Sequence, residues 1–411
     1  LKGRPDIGLA RYSVFAAMLA SAGLPIYIHA PKFYVDSYGV GLATLGGVLA
    51  VLRLIDVVQD PLLGWLAGRL RRWRAVSVAA AAALMAVSMA GLFAVPPMLA
   101  PALWFALTLA GLFTGFSYLT IVFYAQGVIR AEGIGATGHV RLATWRETGA
   151  LLGVCAAAIA PPLLAETGGA PFTLFVVAFG GLALVGVLLM AREWRDTALA
   201  DGQSGLRVVL RDGLARRLLL IALLNATPVA VTSTLFLFFV ESVVKAPGWE
   251  GPFLMLFFVS AAASAPLWGR MAARTGPKHA LLAGMALAVV AFSFAAFIGA
   301  GQMAAFAAIC IVSGAALGAD LTLLPAIFAT RMARIAPGAE QGFGLWSFVT
   351  KLTLTLAAIT LLPVLDHSGF VSGTNNTADA LMTLTLLYAV VPCGLKLLAI
   401  ALLATTQIRR D

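Results

Sequence analysis

Within one apolar stretch of this chain, "RLIDVVQDPLLG" (53–64) sets Arg53, Asp56, Gln59 and Asp60 inside eight residues. Asp56 and Asp60 are four residues apart, so they share one face of a helix. Two ionised carboxylates that close repel each other, and a bound cation or one shared proton relieves the repulsion. Gln59 adds an amide oxygen on the neighbouring face. Oxygen-only ligands suit a hard ion such as Na⁺ or H⁺ rather than copper or zinc. The expectation is a cation site on Asp56, Gln59 and Asp60, with Arg53 helping to set its charge state. A plainer alternative is an i, i+3 bridge between Arg53 and Asp56, with Asp60 serving a gate.

The medium around these charges follows from composition. Of 411 residues, 61% are apolar and 11% charged, and the mean hydropathy is +0.95. A soluble protein carries about a quarter charged residues, so lipid is expected to be the main solvent. The net charge of +10 would suit nucleic acid, but its distribution argues otherwise. Cys155, Cys310 and Cys393 each lie in an apolar run and suggest neither a disulfide nor a metal site. No cleavable leader is expected, because the first apolar run continues past signal length.

A helix needs about 20 apolar residues to cross a bilayer. Such runs are read at 10–30, 40–68, 75–95, 101–128, 142–164, 172–191, 218–241, 253–272, 280–299, 303–329, 343–365 and 380–404. The basic residues gather at the termini and even-numbered loops, including "RLRRWR" (69–74), whereas Lys32 and Lys245 face the opposite side. That asymmetry predicts cytoplasmic termini. Counted inward from Arg69, Asp60 lies roughly 13 Å deep and Asp56 about 6 Å deeper, in a hydrocarbon core about 30 Å thick.

The polar stretch 192–217 divides the chain into bundles 1–191 and 218–411. The halves repeat: "DPLLGWLAGR" (60–69) aligns with "APLWGRMAAR" (265–274), matching Pro61 with Pro266, Gly64 with Gly269 and Arg69 with Arg274. The same offset of 205 sets Arg146 on Lys351. A duplicated six-helix unit is the plan of the major facilitator superfamily, with its site near the midplane between the halves. The repeat is also a control, since Phe258, Ala261 and Ala265 stand opposite Arg53, Asp56 and Asp60. The scaffold can thus be built without charges that each cost roughly 2.5–3.5 kcal/mol at the bilayer centre.

Other polar residues in the spans extend the site. Lys351 has no carboxylate within four residues on its helix, so Asp56 or Asp60 is its expected partner across the cavity. Arg146 sits beside Glu147, either in the cavity or snorkelling to the interface. Asp320 is a third buried acid, whereas Lys396 reads as a packing or snorkelling residue. Ser117, Thr120 and Tyr124 form one helix stripe. His29 reads as an interfacial hydrogen-bonder closing the first span. "NNT" (375–377) matches a glycosylation pattern by three letters only.

Three segments carry a family resemblance. "FYVDSYGVGLATLGGVLAVLRLIDVVQDPLLGWLAGR" (33–69), "RLATWRETGALLG" (141–153) and "GLWSFVTKLTLTLAAITLLPVL" (344–365) resemble the second, fifth and eleventh helices of the glycoside–pentoside–hexuronide:cation symporters. These are the melibiose permease-like group of the major facilitator superfamily. The vertebrate sodium-dependent lysolipid transporters share the signature. The resemblance implies a coupling cation held by Asp56, Gln59, Asp60 and Ser117. It also implies a cavity lined by Arg146 and Lys351. The family often has Asn at the Gln59 position. Where members carry sugar-binding acids on helices one and four, this chain has Ala20 and Thr120, with Tyr124 at the aromatic position, which points away from a galactoside. The family's acidic run after helix ten is replaced by "ATRMARIAP" (329–337), so the acids of that cytoplasmic gate pairing are missing there.

The expected protein is therefore an all-α membrane protein of twelve transmembrane helices in two pseudo-symmetric six-helix bundles. It would be a bacterial inner-membrane symporter that couples Na⁺ or H⁺ to a small polar solute such as a glycoside, by alternating access. Thr120, Tyr124, Arg146, Lys351 and Asp320 are the expected solute contacts, with Arg53, Glu147, Arg69 and Arg274 in the charge network and gate. A carrier of lysolipid or another amphiphile is the alternative reading. An intramembrane enzyme needs acids on two facing helices, whereas both acids here share one. A receptor without flux is a further class. No cofactor, nucleic acid, obligate protein partner or metal other than Na⁺ is expected, and no phosphate-binding loop appears.

Overall fold

The computed structural model describes residues 5–166, 170–194, 205–336, 338–371 and 376–408. The basic residues Lys2, Arg4, Arg409 and Arg410, residues 195–204 of the polar stretch 192–217, and Asn375 lie outside the described residues. The described chain is helical and forms two compact units. One comprises Leu1–Val209 with Met332–Phe348; the other comprises Leu210–Arg331 with Val349–Asp411. The division falls inside the stretch 192–217, and the first residues of the eleventh span belong with the first unit.

The first unit begins differently from the single span read at 10–30. Helix α1 (Pro5–Ser21) stops, and α2 (Leu24–Tyr38) starts after Gly23. Pro25 has no N–H to give the carbonyl of Ser21, so the helix breaks there. Past the break the helix runs through Pro31 to Tyr38, where Gly39 adopts φ 64° and caps it. A left-handed residue at this position is what lets the terminal carbonyls find donors. His29 is therefore inside α2, with Nε2 3.3 Å from the carbonyl of Ala158.

Five longer helices follow: α3 (Leu42–Arg69), α4 (Arg74–Phe93), α5 (Pro101–Glu132), α6 (Gly138–Ala165) and α7 (Pro171–Met190). Helix α3 packs on α5, and α1 packs on α6. The second contact is close because Gly149 and Gly153 face the backbone of Ser13 and Ala17, where a Cβ would come within 2.2 and 2.4 Å of their carbonyl oxygens. Small residues four apart allow helices to approach in lipid. Ser13 Oγ adds a 2.5 Å bond to the carbonyl of Trp145.

The short α8 (Leu206–Arg211) precedes the second unit, which contains α9 (Gly213–Phe239), α10 (Glu250–Thr275), α11 (Pro277–Ser293), α12 (Met303–Ile335), most of α13 (Glu340–His367), α14 (Ala378–Thr385) and α15 (Val391–Ala404). Asp212 caps α9 by accepting a 2.7 Å bond from Ala215 N, an ordinary N-cap. Wide π turns at Val240–Val244 and Leu386–Val390 extend α9 and join α14 to α15. Their meeting is filled by Phe239 stacked on Tyr388 at 4.0 Å.

Ten described helices are long and apolar enough to cross a membrane. Helix α3 is as long as these, at 28 residues, but carries Arg53, Asp56, Asp60 and Arg69. The outer surface is as greasy as the core: Val177, Leu184 and Leu188 of α7 are all more than 60% exposed. Faces of this kind need lipid rather than water against them.

Candidate functional site

The acids of α3 lie where it packs on α5. Asp56 is 9% exposed and Asp60 fully buried. Asp56 Oδ1 accepts 2.9 Å bonds from Ser117 Oγ of α5 and from Gln59 Nε2. Gln59 Oε1 in turn accepts a 3.1 Å bond from Thr114 Oγ1. The expected ligands Asp56, Gln59 and Ser117 are thus in one hydrogen-bonded cluster, one turn from Asp60. Pro61, lacking an N–H, cannot give the carbonyl of Val57 its usual intrahelical donor. Thr114 is an addition that the sequence reading missed. It lies one turn before Ser117 on the Ser117–Thr120–Tyr124 stripe, so the same periodicity reaches it.

Further along that stripe, α5 meets α6. Arg146 and Glu147 are 4% and 5% exposed. Arg146 Nε donates to Glu147 Oε1 at 2.7 Å, and Tyr124 OH donates to the same oxygen at 2.9 Å. The guanidinium lies 3.6 Å over the Tyr124 ring, a cation–π arrangement. Arg146 therefore does not snorkel: it sits two turns inside α6, held by Glu147 and Tyr124. Its Nη2, Thr120 Oγ1 and Thr148 Oγ1 are buried with no hydrogen-bond partner among the described residues. Donors and hydroxyls left over in a buried cluster are what a polar solute would satisfy.

The ion pairs at the C-terminal end of α3 differ from expectation. Arg69 is exposed, with its guanidinium 4.7 Å over Trp65 of its own helix; Arg274 is exposed at the end of α10. The buried pairing falls instead on Arg71 and Arg74, which both donate to Glu340 in the first turn of α13. Arg74 also donates to Gln126 Oε1 of α5 at 2.7 Å, and Gln126 Nε2 donates to the carbonyl of Glu193 at 2.8 Å. Glu193 takes Arg11 and Tyr12 of α1, each at 3.1 Å. The acid missing from "ATRMARIAP" is supplied by Glu340, three residues beyond it, where the N-terminus of a helix also favours negative charge. Nearby, Gly64 and Gly344 let α3 and α13 touch, each Cβ position lying 3.2 Å from the other's Cα.

In the second unit, Asp320 of α12 is 7% exposed and Lys396 of α15 is 4% exposed. Lys396 Nζ donates to Asp320 Oδ2 and to Asn225 Oδ1 of α9, the latter at 2.7 Å. Lys396 is thus a buried ion-pair partner and not a snorkelling residue, and Asn225 joins the site unannounced by any periodicity. Arg53 of α3 and Lys351 of α13 are half-buried. No group of three or more His, Cys, Asp or Glu side chains able to hold a metal occurs among the described residues. The three cysteines carry free thiols.

A polar cluster at mid-helix in a duplicated bundle of apolar helices is a transporter's architecture, and the whole-chain comparison agrees. Residues 11–410 match the family described as MFS/sugar transport protein. The chain belongs to that family. It is therefore a multi-pass membrane transporter of the major facilitator superfamily rather than an enzyme. Its fold is similar to that of a bacterial homologue of the iron transporter ferroportin in the outward-facing state, with a TM-score of 0.70 and 15% identity over 97% of this chain and 98% of that one. It is similar also to the Escherichia coli fucose:proton symporter, with a TM-score of 0.66 and 16% identity over 96% and 98%. Identities this low show a shared fold. No curated protein sequence matches the chain.

Proposed function

We propose that this transporter is a symporter that couples Na⁺ or H⁺ to a small polar solute by alternating access, in a bacterial inner membrane with both termini cytoplasmic. The observation that carries the reading is the Asp56 cluster. Asp56 is buried, bonded to Ser117 and Gln59, and one turn from a second buried acid. A cation arriving between the acids offsets their repulsion. The oxygens of Ser117, Gln59 and Thr114 would extend a hard ligand set. Arg146 Nη2, Thr120 Oγ1 and Thr148 Oγ1, farther along α5 and α6 beside the Tyr124 ring, supply the leftover polar groups that a hydroxylated solute would use. The fucose:proton symporter shares the fold, which supports the plan but not the choice of ion.

The test is thermal stability of the purified protein against Na⁺, Li⁺ and pH at fixed ionic strength, beside Asp56→Asn. A ligand that binds only the folded state raises stability by mass action, about 2.7 kcal/mol at one hundred times Kd. Saturable Na⁺ stabilisation lost in Asp56→Asn supports a sodium site; a proton-dependent shift lost in the same variant supports H⁺. Independence of both would overturn the coupling role. Competition of uptake by lysolipids and not by sugars would replace the polar-solute reading with an amphiphile carrier.

A further inference from the structure

Helices α9 to α12 and α15 of the second unit enclose an open cavity of about 440 Å³, its mouth included. Its walls are mostly apolar, from Phe257 of α10, Val289 and Phe292 of α11 and Leu317 of α12, but Asp320 and Lys396 line it too. Three observations set this pair apart from a simple structural bridge. Asp320 gives one oxygen to Lys396, while its Oδ1 is buried with no hydrogen-bond partner among the described residues. Lys396 has a second acceptor in Asn225, a neutral oxygen that holds the ammonium whichever charge Asp320 carries. At the half-chain offset of 205 the counterparts of Asp320, Lys396 and Asn225 are Gly115, Ala191 and Ala20. A six-helix unit therefore forms without the triad.

We propose that Asp320, Lys396 and Asn225 form a proton-binding site of the second unit, separate from the acids of α3. A hydronium in the cavity gives its proton to Asp320 Oδ1 and leaves as water; Lys396 stays protonated and rests on Asn225, so the cluster gains one positive charge. The cavity is polar enough at this end, and wide enough, to hold the few waters that deliver the proton. Ionisable residues inside membrane helices are typical of such relays. The other titratable groups facing the acid are Lys396 and Cys393 of α15; the thiol is half-buried and directed to the carbonyl of Val289 at 3.7 Å. The faces of α10 and α11 toward the cavity carry none. The site does not depend on which cation Asp56 and Asp60 hold.

Infrared difference spectroscopy of the full chain in lipid, between alkaline and acidic buffer, reads the protonated carboxyl directly. Subtracting the Asp320→Asn spectrum from the wild-type one is expected to leave one protonated-carboxyl band that titrates, and the same band is expected in Asp56→Asn and Asp60→Asn. Lys396→Met removes the ammonium beside the acid, so its midpoint rises, by at least about tenfold in proton affinity. Asn225→Leu takes away the neutral acceptor and makes the ammonium depend on an ionised Asp320, so the midpoint falls. These two opposite shifts carry the test if Asp320→Asn fails to fold. No titrating component while the protein stays folded, or a band indifferent to Lys396 and Asn225, would overturn the proposal. Loss of cation response in Asp56→Asn with this band intact tests the α3 site alone.

Discussion

Arg74 and Glu340 stand 266 residues apart in the chain, yet each side chain is 1% exposed and the two form an ion pair. Arg71 shares the same carboxylate from a more open position, 15% exposed. Helix α13 is thereby tied at its first turn to the segment that follows α3. Removing one partner of a buried pair leaves an uncompensated charge and costs about 3–5 kcal/mol. Glu340→Gln strands two arginines and is expected to lose stability on that scale. Arg71→Gln leaves the Arg74 pair in place and should lose much less. Thermal melting of the two purified variants side by side checks the order; equal losses would show that the Arg71 contact carries the effect and the buried Arg74 pair adds nothing to it.

Ser117 donates one hydrogen bond to Asp56 and, at the proposed cation site, would add one oxygen. Ser117→Ala removes both and keeps the volume nearly unchanged. A single contact of this kind is worth about 1–1.5 kcal/mol, so the cation concentration for half-maximal stabilisation should rise by about tenfold. Asp56→Asn should abolish the response altogether. Cation titrations of melting temperature distinguish the graded loss from the complete one.

Gly344 has no room for a side chain. A Cβ there would lie 2.9 Å from the carbonyl oxygen of Asp60 and 3.2 Å from the Cα of Gly64. Both obstacles are backbone, so they yield only if the helices move apart. Gly344→Ala is expected to lower thermal stability by roughly 1–3 kcal/mol, the usual cost of overpacking. Gly68→Ala, on the same helix as Gly64 but with nothing within 4 Å of its Cβ position, should be nearly neutral in the same melt.

Asp212 lies just before α9 and outside the membrane-spanning segments. The hydrogen bond from Arg331 holds its carboxyl below the usual carboxylate range, helped by the N–H of Ala215. A carboxyl depressed in the folded state stabilises the protein above its unfolded value, about 3.9, and that contribution is lost as pH falls through the folded value. Wild type should therefore exceed Asp212→Asn in melting temperature at neutral pH. The gap should narrow as pH drops below about 4. A gap constant with pH would assign the effect to the helix cap alone.

Much of this protein is legible without coordinates because lipid imposes simple rules. Apolar runs of spanning length, basic loops and a repeat at offset 205 define twelve spans and a duplicated bundle. The Asp56–Asp60 spacing marks the candidate site, since a local i, i+4 relation survives any packing of the helix. The first span is the exception: hydropathy averages over Gly23 and Pro25, whereas the backbone hydrogen bond that Pro25 cannot make breaks the helix there.

The sequence by itself determined the fold class, the family signature and the face that Asp56 and Asp60 share, because each depends on periodicity or composition along a single helix. Only the tertiary structure decided that Glu340 rather than a loop acid answers Arg71 and Arg74, that Arg146 is buried over Tyr124, and that Lys396 pairs with Asp320 and Asn225. Those partners come from other helices, and a buried charge selects its partner by reach across the packed interface, a distance that no spacing along the chain encodes.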